Sequence, residues 1–174
     1  MKILKSLIIV CFIILCASCS TSDDSPNVQV TQSDLVGTWN LTELNIDGMA
    51  NISGIPVPVT GEGKSLNAKI ILTEQPNNIT ASGNFIVTTR LDIPGSAVTQ
   101  DIPFNLDTLI GNGTWSLNNN GQLIITDNVG SQTFDIKEFN GSTLKVRTQE
   151  EVPIPFNGTT IFVDTTIDMT FTKQ

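Results

Sequence analysis

Residues 160–171 form the longest alternating run, and that alternation constrains the fold more than any other feature of the 174-residue chain. Ile161, Val163, Thr165, Ile167, Met169 and Phe171 share one parity; Phe162, Asp164, Thr166, Asp168 and Thr170 share the other. Five of six are apolar on the first face and one of five on the second. A helix spreads such a pattern around its circumference, whereas a strand sorts it onto two sides. One dry face and one wet face is the behaviour of antiparallel sheet. Ile167 and Met169 are therefore expected inside, with Asp164 and Asp168 outside.

Upstream, the same reading gives strand after strand. Residues 37–46 form a first strand that ends at Asp47-Gly48, a strong hairpin signal. Residues 51–60 follow, and because Pro56 and Pro58 cannot donate to a ladder, this reads as an edge. Residues 66–73, 79–91 and 97–104 come next, separated by turns at 76–78 and at Pro94-Gly95. Residues 105–112 read as a longer loop. Shorter strands are expected at 113–117, 123–126, 132–139 and 144–150, and residues 152–157 carry two more prolines. No stretch in this part has helical apolar periodicity. Sequential hairpins make an up-and-down meander, and closure removes its edges. The expected fold is an all-β antiparallel barrel of about eight to ten strands over residues 34–174. A barrel of this size holds either side chains or one small ligand. Phe85, Val87, Phe134, Ile136, Leu144, Val146, Ile167 and Met169 are the candidate lining of such a cavity.

The first residues have a different character. Lys2 and Lys5 precede an apolar run at 7–15, and then comes Cys16-Ala17-Ser18-Cys19. The segment resembles a bacterial lipoprotein signal peptide. That resemblance implies a signal helix at 1–18, removed on export, and acylation of Cys19. The run is shorter than the ~20 residues needed to span a bilayer. Residues 19–33 are polar and read as a tether. Within them, Ser22-Asp23-Asp24 resembles the acidic signal that sends Bacteroidetes lipoproteins to the cell surface. Cys11 and Cys16 leave with the signal, so only Cys19 remains, and no disulfide can form within the mature domain. Its stability must come from burial and from the ladder.

Charge and composition remove several functions. With Lys2 and Lys5 gone, seven cations face seventeen carboxylates, a net charge of −10. Nucleic acid is excluded as a partner, because phosphate neutralisation needs a basic footprint. There is no histidine. Ser-His-Asp and Cys-His catalysis are therefore unavailable, as are imidazole metal sites. No spacing of carboxylates matches a calcium loop. The expectation is a non-enzymatic protein without cofactor or metal.

Two short motifs then acquire meaning. Gly37-Thr38-Trp39 at the start of the first strand resembles the Gly-x-Trp signature of lipocalins. Gly113-Thr114-Trp115-Ser116-Leu117, Phe134-Asp135-Ile136, Thr143-Leu144-Lys145-Val146 and Met169-Thr170-Phe171-Thr172-Lys173 are similar to later strands of the lipocalin-like domains found in Bacteroidetes lipoproteins. The resemblance implies a lipid-anchored barrel at the bacterial outer membrane, periplasmic or surface-exposed, that binds a small hydrophobic ligand. It also implies a barrel floor in which Trp39 lies beneath a basic side chain from the chain end, here Lys173. The alternative is a structural or protein-interaction lipoprotein whose barrel is filled by its own side chains. Asp107-Thr108-Leu109 resembles a short O-glycosylation signal and falls in the expected loop.

Overall fold

A computed structural model describes residues 30–174; the expected signal segment 1–18, Cys19 and most of the tether lie outside the described residues. Nine strands follow one short helix, with a second helix between the fourth and fifth strands. They are α1 (Gln32–Leu35), β1 (Gly37–Ile52), β2 (Ile55–Leu72), β3 (Asn78–Ile93), β4 (Ser96–Asn105), α2 (Leu106–Ile110), β5 (Gly113–Leu117), β6 (Gln122–Thr126), β7 (Ser131–Phe139), β8 (Thr143–Phe156) and β9 (Thr159–Lys173).

All pairings are antiparallel, in the order β2-β1-β9-β8-β7-β6-β5-β3-β4, and β2 also pairs with β3. Eight strands therefore close into a ring, and β4 hangs on the outer edge of β3. The two ends of the chain meet in the long β1–β9 ladder, from Trp39 opposite Lys173 to Ala50 opposite Val163. The β3–β5 closure is short: Asn78 opposite Thr114 and Ile79 opposite Gly113. One end of the barrel, the floor, carries the start of β1 and the end of β9. The other end, the top, carries the tips of the β1–β2, β3–β4 and β8–β9 hairpins. The strands β5, β6 and β7 are short, so the wall is low on their side.

The alternation of the last strand is realised. Val163, Ile167, Met169 and Phe171 are buried, Asp164 is exposed, and Asp168 sits on the outer face in a bidentate pair with Arg147, at 2.7 and 2.8 Å. Thr165 is buried as well, because its hydroxyl donates to the Glu150 carbonyl at 2.7 Å.

Three expectations need correction. Asp47-Gly48 is not a turn: β1 runs straight through it to Ile52. A Cβ on Gly48 would sit 2.7 Å from the Asp164 carbonyl oxygen, so this glycine serves close approach of β9. The turn is Ser53-Gly54, with φ of 53° and 85°, and the Asn51 side chain accepts from Gly54 N–H at 2.8 Å. Residues 51–60 and 66–73 are likewise not separate strands. They belong largely to β2, whose register with β3 shifts between Lys64 and Asn67. The edge reading of the prolines holds locally. Pro56 and Pro58 pair with β1 above the point where the β3 ladder begins at Val59. Pro153 and Pro155 pair with β9 above the point where the β7–β8 ladder ends at Arg147. Finally, the loop at 105–112 contains α2. Leu106 and Ile110, one turn apart, are 0% and 4% exposed, and Gly111 ends the helix at φ 80°. Asp107-Thr108-Leu109 is therefore helical, with the Thr108 hydroxyl donating to the Asn105 carbonyl at 2.7 Å. At the other end, Val30 packs on the core and α1 begins at Gln32.

Candidate functional site

The floor is built from α1, the start of β1 and the end of β9. In α1, Asp34 accepts from the Thr31 backbone N–H at 2.9 Å and from its hydroxyl at 2.6 Å. These bonds favour the ionised carboxylate and, with the charge of Lys173, hold its pKa below the ordinary aspartate value, against a smaller opposing effect of desolvation. The helix sets Leu35 into the core, and the Leu35 carbonyl receives the Trp39 Nε1 proton at 2.8 Å. Trp39 is fully buried, with its ring tilted 56° to that of Phe139 at a centroid distance of 6.2 Å. Lys173 Nζ stands 5.1 Å from the Trp39 ring centroid and donates to the Asp34 carbonyl at 3.1 Å. Gly37 explains why the motif opens on glycine: its φ is +140°, and a Cβ there would lie 2.9 Å from Lys173 Cε. Gly37, Trp39 and Lys173 are thus brought together, and Lys173 keeps its inward parity to the end of β9.

Sequence reasoning missed a second floor tryptophan of the same design. Trp115 is 2% exposed, and its Nε1 donates to the Thr73 carbonyl at 2.9 Å. Its backbone N–H donates to Asn77 at 3.0 Å. A Cβ on Gly113, two residues before it, would run into the Thr126 carbonyl. The signal was the repetition of Gly-Thr-Trp at 37–39 and 113–115. Trp39 ties the start of β1 to α1, and Trp115 ties the start of β5 to the loop after β2.

The candidate lining residues form the packed interior. Phe85, Val87, Phe134, Leu144, Val146, Ile167 and Met169 are each 3% exposed or less; Ile136, beside a register shift on β7, is half-buried. A ligand-sized cavity would expose its walls to a water-sized sphere, and these walls are sealed. The clefts lie elsewhere. One of about 430 Å³ runs where β7 parts from β8, lined by Ser131, Gln132, Thr133, Asp135, Arg147, Thr148, Gln149 and Glu150. Another of about 330 Å³ lies between α2 and the β6–β7 turn and brings in Leu109, Ile110, Ile125 and Val129. The two share Ser131, Gln132 and Glu150; Gln132 donates to Glu150 at 2.7 Å and also to the Leu109 carbonyl. Glu150 was read as the end of a strand; its inward parity on β8, alongside Val146 and Thr148, was the available clue. None of the eight candidate lining residues borders either cleft. The described residues hold no group of three or more acidic or cysteine side chains able to bind a metal.

A closed antiparallel barrel, entered by a short helix and sealed by Gly-Thr-Trp under a terminal lysine, defines a lipocalin-type domain. The family of the lipocalin-like domain matches residues 35–146, and the chain belongs to it. Among solved structures, the chain is similar to a candidate AttH protein from Nitrosomonas europaea, at 13% identity and a TM-score of 0.35 over 86% of this chain and 55% of that one. This chain thus spans little more than half the length of that protein. It is also similar to the S-type phycobiliprotein lyase CPES from Guillardia theta, at 9% identity and a TM-score of 0.29 over 82% and 90% of the two chains. No curated protein matches the sequence.

Proposed function

We propose that this is a non-enzymatic lipoprotein of the bacterial cell envelope whose filled lipocalin-like barrel serves as an interaction module. One observation carries the reading: the inward aromatic and aliphatic side chains meet one another and leave no exposed wall for a ligand. The leader supports placement at the outer membrane, with acylated Cys19 as the anchor and residues 20–29 as the spacer. The acidic balance supports a partner other than nucleic acid or an anionic lipid surface.

A second reading keeps the small hydrophobic ligand but moves it to the wall. Its support is the cleft beside α2, where Leu109 and Val129 border open space over the buried Ile110 and Ile125. Native mass spectrometry of the protein purified from its own host separates the two. The interaction-module reading predicts the mass of the acylated polypeptide alone. A stoichiometric small molecule, lost on Val129→Asp, favours the wall cleft; one retained in that variant and lost on Val87→Trp overturns the filled barrel. In parallel, Cys19→Ala should release the chain from the membrane fraction.

A further inference from the structure

We propose that the outer face of β2, β1, β9 and β8 at the top of the barrel docks a basic, amphipathic segment of a partner protein, an inference that rests on the interaction-module reading. Large apolar side chains on a soluble barrel belong inside, so their exposure is the informative observation. Among the described residues, four are exposed: Met49 at 49%, Ile55 at 51%, Phe162 at 61% and Val129 at 90%. Met49 and Phe162 share the outer face at the top of the barrel, whereas Ile55 lies at the hairpin tip on the inward parity of the buried Val57 and Val59. Met49 lies opposite Pro58 on one side and Asp164 on the other. Phe162 is two residues from Asp164 on the same face and opposite Pro153. That puts Met49 and Phe162 in diagonal register, about 7–8 Å apart by strand geometry. Pro56 and Pro155 extend the patch toward the hairpin tips. The prolines hold it stiff, so a partner orders little on docking.

Charge selects the occupant. Asp47, Asp164 and Glu151 are exposed on the same face, and Asp164 lies directly opposite Glu151. None of the three is in an ion pair among the described residues, and the nearby Arg147 is committed to Asp168. A patch of apolar side chains bordered by free carboxylates fits a segment that carries both lysine or arginine and aliphatic or aromatic side chains. A second copy fits poorly, because a two-fold pairing of this face brings like charges together. An anionic membrane is repelled for the same reason. The chain's own tether is acidic and nearly free of apolar residues, and it enters at the opposite end of the barrel.

The test uses the exported chain and a fluorescein-labelled peptide of alternating lysine and leucine, with a glutamate–leucine peptide as the control. Anisotropy should show saturable binding of the lysine peptide that weakens with salt, and about tenfold or more weaker binding of the control. Met49→Thr with Phe162→Ser should cost about tenfold or more in affinity. Both sites are exposed, so folding is retained, as circular dichroism checks. Asp164→Asn with Glu151→Gln should flatten the salt dependence. Unchanged affinity in the Met49/Phe162 variant overturns the proposal. So does a dimer by sedimentation that this variant dissolves, or Phe162-dependent binding to phosphatidylglycerol vesicles. A bare polypeptide mass together with no peptide binding would sink this inference alone and leave the filled barrel standing.

Discussion

The two ends of the barrel are made from the same strands and are finished in opposite ways. At the floor, β1, β9 and the start of β5 are tied down. Trp39 donates to the Leu35 carbonyl of α1 and Trp115 to the Thr73 carbonyl in the loop after β2, Lys173 N–H reaches the Ser142 carbonyl at 2.8 Å, and Gln174 N–H reaches Thr38 at 2.9 Å. At the top, β4 pairs with β3 alone, and the upper part of β8 has left β7. One side-chain hydrogen bond, from Gln100 Nε2 to the Pro155 carbonyl at 2.6 Å, spans between β4 and β8. The difference is chemical. Floor residues offer N–H groups and large buried rings, whereas Pro103, Pro153 and Pro155 withhold N–H groups from the edges that flank the gap. The lesson is that a closed barrel can place its stability at one end and leave the other free to meet a partner.

The largest expected effect breaks the floor. Trp39→Ala should cost about 3–5 kcal/mol by urea denaturation, since it removes a fully buried ring and leaves the Leu35 carbonyl without its donor. Phe162→Ser at the top should stay within about 0.5 kcal/mol of the parent. Similar losses at the two positions would erase the contrast between the ends.

A smaller effect sharpens the floor itself. Lys173→Ala should cost about 0.5–2 kcal/mol through loss of its contact with the Trp39 ring. Part of that cost should vanish in a Trp39→Phe background, because the pair then no longer couples. Strict additivity in the double-mutant cycle would show that Lys173 acts through the Asp34 carbonyl alone.

The smallest effect is the pH dependence of the entry helix. Hydrogen bonds from Thr31 hold the Asp34 carboxyl below the ordinary aspartate value of 3.8. The group therefore stabilises the fold above that value and loses this contribution as the pH falls through its folded-state pKa. Wild type and Asp34→Asn should differ in stability at neutral pH and converge in acid. Curves that diverge in acid would contradict the assignment.

Much of this contrast was legible in the sequence. The alternation at 160–171 sorts the side chains of β9 onto the right faces because local periodicity leaves a direct trace, and the resemblance of Gly37-Thr38-Trp39 to the lipocalin signature marks the floor. The Asp47-Gly48 pair misled because glycine has two uses: a turn and a tight crossing. Only the position of β9 across the sheet decides between them. α2 escaped notice because five residues are too few to establish a helical period, although Leu106 and Ile110 keep the right spacing. The divergence of β7 from β8, and with it the Gln132–Glu150 contact, depends on which long-range ladders end where, and no local pattern encodes that. The packed interior was equally out of reach. Phe85, Val87 and Phe134 have inward parity in either case, and only the shape of the closed ring decides whether they meet.

Amide hydrogen exchange, resolved by residue, tests the account most directly. A floor that is locked and a top that is unzipped predict that β1 from Trp39 to Leu41 and β9 from Met169 to Lys173 exchange slowest, near the limit of global unfolding. The β4 strand and residues 150–156 of β8 should exchange about two orders of magnitude faster. Equal protection at both ends, or faster exchange at the floor than along β4, would contradict it.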